Sequence, residues 1–413
     1  MSLEPIQKWL LSKGREHPTV AELFNGLCVE LNTLGLPVFS ASILLQALNC
    51  ELVSSFYVWR LVGSDETVTN TTDNLVSDKI FQFGDSEVQV FDVAHGNSSE
   101  ELFVQSPFQL LSDGWSEVRC RLEDSVPEQS FPILDDLRLL GATDYIAVSL
   151  KMVLAADGFI SFSTRSPGGF SESEIESIRS MRPILAQSFE IHSTRISMEN
   201  TLAIYLGPTS AQAVLAGRLL RGDIHTLEAV VGFVDIRGFT QSGGLVGNSG
   251  LVRRANHFYQ CLYDAITPSN GEISKFIGDG ALVLFYADGD PVEACERALS
   301  SMKKLHELID DLNDSDLLEH ELGYGVALHL GTVEQGNVGA ASRMDFTVIG
   351  SAVNLASRFE GLSKRLSRRL VVTQAVADCI PPMFEHLGDH NVRGVTDKQA
   401  VYGLIDNSEF SVG

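Results

Sequence analysis

Between residues 226 and 373 the chain alternates apolar strand-like runs with amphipathic helical runs, and this order limits the fold more than any other feature. Residues 228–235 read as a strand, 251–266 as a helix, and 272–276 with 281–286 as a hairpin about Gly278-Asp279-Gly280. A long amphipathic helix is expected over 292–312, then a strand at 322–330, a helix at 352–363 and a strand at 369–372. A β-α-β-β-α-β order of this kind predicts a ferredoxin-like antiparallel core with helices on one face.

The N-terminal half has a different character. Thr19 and Glu22 form a capping-box pattern, and Val20, Leu23, Phe24, Leu27, Leu31 and Leu34 recur at helical spacing, which predicts a helix over 20–34. Strand-like runs follow at 42–48, 56–62, 88–93 and 117–122, and runs at 145–152 and 159–164 flank Asp157-Gly158, a hairpin signal. The expected result is an α+β domain. A second capping box, Ser171 with Glu174, opens a helix whose stripe of Ile175, Ile178, Met181, Leu185 and Phe189 either joins two chains or packs back on its own domain; Pro183 is a candidate kink. From 191 to 223 the pattern is irregular, with Gly207-Pro208 as a breaker. The expected organisation is therefore a domain over 1–194, a connector over 195–225 and a second domain over 226–413.

A length of 413 residues suits two domains, each with its own core. Acidic residues outnumber basic ones 54 to 30, giving a formal charge of −24, so nucleic acid and membrane surfaces are disfavoured as partners. No apolar run approaches a membrane span and the first residues lack a signal-peptide layout, so a cytoplasmic location is expected. The six cysteines, Cys28, Cys50, Cys120, Cys261, Cys295 and Cys379, are widely spaced and form no Cys-x-x-Cys pair, which argues for reduced thiols.

Two carboxylates stand out. Asp235 ends the first apolar strand of the second domain and Asp279 lies at the hairpin tip, and in the expected fold these strands can be neighbours. Carboxylates at adjacent strand ends, backed by glycines that admit a phosphate, suit Mg²⁺ held partly through substrate oxygens. Singly, Gly-Asp-Gly is more often just a hairpin turn, and an Asp at a strand end is more often a cap or solvated loop residue. Asn354 and Arg358, four apart at the start of a helix, can hold a ribose oxygen and a phosphoryl oxygen together, or can be surface groups with Arg358 bridged to an acid such as Glu360.

The pieces occur together and in order. Phe233-Val-Asp235-Ile-Arg-Gly-Phe-Thr240, Lys275-Phe-Ile-Gly-Asp279-Gly-Ala-Leu-Val-Leu-Phe285, His329-Leu-Gly-Thr-Val-Glu-Gln-Gly-Asn337-Val-Gly339 and Met344-Asp-Phe-Thr347-Val-Ile-Gly350-Ser-Ala-Val-Asn354-Leu-Ala-Ser-Arg358 resemble the signature blocks of class III nucleotidyl cyclases over about 228–405. The stretch from Tyr205 through Gly217 to Asp223 resembles the segment preceding the catalytic core in bacterial members. The N-terminal half resembles a GAF-type sensory domain through its closing hairpin and the Pro167-Gly-Gly-Phe-Ser171-Glu-Ser-Glu174 entry to a helix.

The resemblance implies that Asp235, Asp279 and the Ile236 carbonyl hold two Mg²⁺ or Mn²⁺ ions per active site, while main-chain groups of Gly238, Phe239 and Thr240 cradle phosphates. Asn354 would orient the ribose and Arg358 would stabilise charge at the α-phosphate, both supplied across a homodimer interface. Lys275 and Thr347 would read adenine, where guanylyl cyclases usually carry Glu and Cys; Thr347 replaces the family's common Asp. Arg393, with Lys398 as a second candidate, would bind the terminal phosphates, whereas Arg253-Arg254 are expected to form surface ion pairs. The implied activity is an adenylate cyclase making 3′,5′-cyclic AMP and pyrophosphate from ATP, regulated by a small-molecule or protein signal at the N-terminal domain. The alternatives are a catalytically silent nucleotide-binding sensor and a guanylate cyclase; a diguanylate cyclase is excluded because no Gly-Gly-Asp/Glu-Glu-Phe block occurs.

Overall fold

The structure, a computed structural model, describes residues 4–46, 52–61, 79–94, 106–123, 131–218 and 220–405. The chain divides into two compact units, 1–201 and 202–413. Among the described residues no helix is long and apolar enough to cross a membrane. The described cysteines are free thiols, with Cys28 and Cys295 buried; Cys50 lies outside the described residues.

In the first unit, helices α1 (Glu4–Leu11) and α2 (Val20–Thr33) precede strands β1 (Ser40–Gln46), β2 (Leu52–Leu61), β3 (Lys79–Phe83) and β4 (Ser86–Ala94). Short helix α3 (Pro107–Ser112), strand β5 (Glu117–Arg121), helix α4 (Pro132–Leu139), strands β6 (Asp144–Leu150) and β7 (Gly158–Thr164) and helix α5 (Glu172–Leu206) follow. Seven strands form one antiparallel sheet in the order β3-β4-β2-β1-β7-β6-β5. Its faces are covered separately: Ile43 packs with residues of α1, α2 and α5, and its neighbour Leu44 packs with Phe108 of α3 and Leu134 of α4. The expected positions 47, 48 and 62 of the first two strands lie outside the described residues.

The capping box of Thr19 and Glu22 forms in both directions, with Glu22 N–H donating to Thr19 Oγ1 at 3.2 Å and Thr19 N–H to Glu22 Oε2 at 3.0 Å. The same reciprocal pair joins Ser171 and Glu174. The stripe from Ile175 to Phe189 is fully buried in the core of this unit, which settles it as a helix packed on its own domain. Two expectations are corrected. The hairpin is joined by residues 151–157 rather than by a tight Asp157-Gly158 turn, because Asp157 folds back to accept from Lys151 and Met152 N–H. The helix from Ser171 continues past Pro183, and through 195 where a boundary was expected, to Leu206, and Arg179 and Arg182 anchor this stretch to Glu117 and the Ser149 carbonyl. The irregular pattern beyond 191 reflects a helix with weaker apolar periodicity.

In the second unit, α6 (Pro208–Leu215) precedes β8 (Ile224–Ile236), α7 (Phe239–Ile266), β9 (Glu272–Ile277), β10 (Gly280–Tyr286), α8 (Pro291–Asn313) and β11 (Tyr324–Ala340). Then come β12 (Arg343–Ile349), α9 (Ser351–Arg365), β13 (Leu370–Thr373), α10 (Gln374–Ala377), β14 (Phe384–His390) and β15 (Gln399–Leu404). The sheet order is β14-β15-β13-β11-β8-β10-β9, with β12 paired to β11. Its central β11-β8-β10-β9 portion is antiparallel and has the expected ferredoxin-like arrangement.

The helices do not all lie on one face, as was expected. Val230, Val234, Val283 and Phe285 pack against α7 and α8, while Val231, Leu282 and Leu284 on the opposite face pack against Ala352 and Ala356 of α9. Helix α7 is interrupted at Gly247, whose φ of 69° and ψ of 174° are not helical. Gly207 separates α5 from α6 at φ 83° and ψ 154°, and a Cβ there would stand 3.0 Å from Glu272 Oε1. That backbone region is essentially glycine-only. Gly207→Ala is therefore expected to destabilise the protein by about 1–3 kcal/mol, measured as a shift in the urea unfolding midpoint.

Candidate functional site

Strand β8 delivers Asp235 because its apolar run pairs on both edges. Asp235 stands opposite Gly280 of β10 and opposite Gly325 of β11. A side chain at Gly280 would crowd Asp235 Oδ1 at 2.8 Å, and one at Gly325 would meet Ser363 Oγ at 2.5 Å, so both positions require glycine. Asp279 sits in the turn just before Gly280, and its carbonyl accepts the Ile236 N–H at 3.3 Å. Burial, and secondarily the Asp279 carboxylate, raise the Asp235 carboxyl above its ordinary range, with Lys364 opposing. Glu360 of α9 faces the same region, its own carboxyl raised by burial and by Asp235.

After Asp235 the chain turns sharply. Arg237 N–H donates to the Gly323 carbonyl at 2.8 Å, and its guanidinium donates to the Arg368 carbonyl at 2.6 Å. Gly238 takes a left-handed conformation at φ 67°, and α7 begins at Phe239 and Thr240. The first N–H groups of a helix have no partner within it, so this turn presents donors suited to an anion.

Lys275 on β9 meets Asp345 of β12 in an ion pair, which brings Lys275 to the strand carrying Thr347. Asn354 lies in the first turn of α9, with its N–H donating to the Gly350 carbonyl at 3.2 Å, and both Asn354 and Arg358 are exposed. The Arg358 nitrogens stand 3.2 Å from where a Cβ on Gly394 would lie, so the guanidinium is beside the loop bearing Arg393. Arg393 and Lys398 are themselves exposed. The residues thus fall into three groups: Asp235 with Asp279 and Ile236, Lys275 with Thr347, and Asn354 with Arg358 and Arg393. Among the described residues no hydrogen bond or ion pair joins the first group to the other two.

Residues 225–406 match the adenylate and guanylate cyclase catalytic domain family. The C-terminal unit belongs to the class III nucleotidyl cyclases. The adenylate cyclase of Anabaena cylindrica is 34% identical over 161 residues, 38% of this chain and 31% of that enzyme. Adenylate cyclase 1 of Rhizobium meliloti (strain 1021) is 25% identical over 316 residues, 72% of this chain and 46% of that enzyme. The chain thus spans less than half the length of either relative. A solved structure of a bacterial light-regulated adenylyl cyclase is 27% identical, covers 45% of this chain and 93% of that one, and has a TM-score of 0.40.

Three supporting residues of the cyclase domain escaped sequence reasoning. Tyr259 of α7 donates to the Gly278 carbonyl at 2.9 Å and packs its ring 4.3 Å from that of Phe276, pinning the turn that carries Asp279. Burial chiefly, and then Asp279 and Asp235, raise its phenol. Arg237 is the second and Asp345 the third. The position of Tyr259 within helix α7 gave no signal distinguishing it from an ordinary helix residue. Arg254 corrects an expectation: it is buried, and its guanidinium donates to the His320 and Glu321 carbonyls instead of forming a surface ion pair. Its neighbour Arg253 is exposed.

Asp235 also sets a pH dependence. A carboxyl raised in the folded state contributes stability below its ordinary value of 3.8 and loses it as pH rises through the raised value. Asp279→Asn removes one cause of the shift. In chelator, the C-terminal unit of this variant is expected to lose less stability than the wild type between about pH 4 and about pH 7, read from unfolding midpoints; equal slopes would contradict the coupling.

Proposed function

We propose that the protein is an adenylate cyclase that converts ATP to 3′,5′-cyclic AMP and pyrophosphate in a homodimer. The observation that carries this reading is the register of β8 against β10, which sets Asp235 beside the turn of Asp279 and leaves two close carboxylates whose mutual repulsion a cation relieves. Among the described residues no three His, Cys, Asp or Glu side chains converge on one point, so protein carboxylates alone do not complete a metal shell. This fits Mg²⁺ or Mn²⁺, which keep positions for substrate oxygens. Asp235, Asp279 and the Ile236 carbonyl would hold two such ions, which supply charge neutralisation for an attacking ribose oxygen and a leaving pyrophosphate.

The other residues position and stabilise. The turn at Gly238, Phe239 and Thr240 offers main-chain donors to the phosphates. Lys275 donates to the N1 acceptor of adenine, and Thr347 accepts from its amine. Asn354 orients the ribose, and Arg358 stabilises negative charge at the α-phosphate as its bond to the 3′-oxygen forms and its bond to pyrophosphate breaks. The 3′-hydroxyl proton passes to solvent or to a substrate phosphate oxygen. Proximity of Arg358 to the Gly394 loop favours Arg393 over Lys398 for the terminal phosphates. The exposure of Asn354 and Arg358, and the absence of described bonds from them to Asp235 or Asp279, favour a site completed by a second copy of the chain. A twofold dimer then carries two equivalent sites.

The N-terminal unit acts, in this reading, as a GAF-like sensory domain that responds to a small-molecule or protein signal and regulates the cyclase in the cytoplasm. Its sheet, enclosed on both faces by helices, supports this assignment.

The test is cyclic nucleotide formation by the full chain, with ATP and GTP in parallel and Mg²⁺ or Mn²⁺ present. Cyclic AMP is the expected product, with Asp279→Ala inactive and Arg358→Ala lowered by about 10²–10³ in turnover. Cyclic GMP as the main product would overturn the adenine assignment, and no product with either nucleotide would favour a catalytically silent sensor.

A further inference from the structure

The N-terminal unit contains a cavity of about 500 Å³ on the side of its sheet that α1, α2 and α5 cover. Small-molecule sites fall in the range of roughly 300–1,000 Å³. One wall comes from the end of α1 and the turn at Lys13–Glu16, and the other from Gln187 to Arg195 of α5. Leu10 and Leu23 line it from the buried core, while Leu11 and Ile191 line it and are each 58% exposed. Apolar surface of this kind is left open beside the cavity and not enclosed by the fold.

The charge of the lining runs against the composition of the chain. Acidic residues outnumber basic ones 54 to 30 overall, yet Arg15, His17, His192 and Arg195 all line the cavity, and Glu16 is the one carboxylate among the described lining residues. The basic groups converge: burial first, then Arg195 and His17, push the His192 imidazole below its ordinary range. Two of them are held in place. Arg195 Nη2 donates to the Pro18 carbonyl at 2.8 Å, and its Nε stands 3.3 Å from Glu199 Oε1 in a half-exposed pair that contributes little. His17 packs its ring 5.8 Å from that of Trp9, and a Cβ on Gly26 would lie 2.9 Å from His17 Nε2, so the imidazole is seated against the backbone of α2. Imidazole and guanidinium groups offer N–H donors in fixed directions, and an anion among them relieves their mutual repulsion.

We propose that this cavity binds a small amphipathic organic anion, a carboxylate on a hydrocarbon body, with the carboxylate held by His17, His192 and Arg195 and the hydrocarbon laid along Leu11 and Ile191. The apolar wall separates this ligand class from inorganic anions, and the basic wall separates it from neutral lipids. The occupant bridges the segment at 13–18 to α5, a helix of 35 residues that continues to Leu206. The proposal gives a chemical class to the signal of the N-terminal unit; it rests on the sensory reading for the consequence of binding, though not for the binding itself.

The experiment is isothermal titration calorimetry of the full-length protein with octanoate, octanol and acetate. Octanoate is expected to bind at least about tenfold more tightly than either of the others, since octanol lacks the charge and acetate the hydrocarbon. Ile191→Glu removes exposed apolar surface and adds a carboxylate at the cavity, and is expected to abolish octanoate binding. His192→Gln and Arg195→Gln are each expected to weaken it by about tenfold. Unfolding midpoints identify the variants that keep the fold. Absence of octanoate binding, equal binding of octanol or acetate, or folded variants that all keep the wild-type affinity would each overturn the site. Cyclic AMP formation that bound octanoate leaves unchanged would overturn the sensory consequence and leave the site standing.

Discussion

Strand β8 is hydrogen-bonded along both edges, and the register of those two ladders is the constraint on which the catalytic unit depends. Val234 faces the core with α7 and α8, and its neighbour Asp235 is carried to the strand end where β10 turns back. A slip of one residue would exchange the faces of the strand and move Asp235 away from Gly280. Close packing enforces the register: a Cβ on Gly232 would lie 2.5 Å from Val283 Cγ2 and 3.0 Å from Leu328 Cδ2, so β8 approaches its neighbours as only glycine permits. The pairing that buries the core therefore also assembles the two carboxylates.

The same sheet receives the connector. Tyr286 of β10 donates to Glu272 Oε2 at 2.8 Å and accepts from Gln335 Nε2 at 2.7 Å, beside Thr209 of α6. Glu272 is buried, its Oε1 has no partner, and it lies against Gly207. Further along, Asn337 of β11 donates to the Arg218 carbonyl at 2.9 Å, and its carbonyl accepts from Gly222 N–H at 3.0 Å. Glu272 is three residues before Lys275 on the same strand. The segment entering the catalytic unit thus makes polar contacts with Tyr286 of β10 and Asn337 of β11, and its Gly207 lies against Glu272 of β9. Burial strengthens such networks and makes them costly to break.

Much of this was legible in the sequence, for identifiable reasons. Both capping boxes, at Thr19 and at Ser171, are local patterns with local outcomes, and the apolar alternation around Val230 to Val234 is set by burial on two faces. The hairpin arm β12 and the edge strand β14 were not read as strands, because each buries a single residue and lacks the apolar alternation of a buried strand, and the short strand β15 beside β14 was missed with them. The paired carboxylates Asp235 and Asp279 were legible through motif and order. Tyr259, Arg237 and Asp345 were not, because each acts on a partner distant in sequence: the Gly278 carbonyl, the Arg368 carbonyl and Lys275. Arg254 shows the same limit, since paired arginines look like surface charges until the carbonyls of His320 and Glu321 are brought to them.

The central claim is that neither copy of the chain holds a whole active site. Mixing inactive Asp279→Ala protein with the strongly impaired Arg358→Ala protein tests it directly. A mixed dimer carries both defects in one site and none in the other, so random exchange should restore about a quarter of the wild-type cyclase activity. Activity that stays at the level of the separate variants, after subunit exchange is verified by differently tagged chains, would contradict a shared site and place all the catalytic groups within one chain.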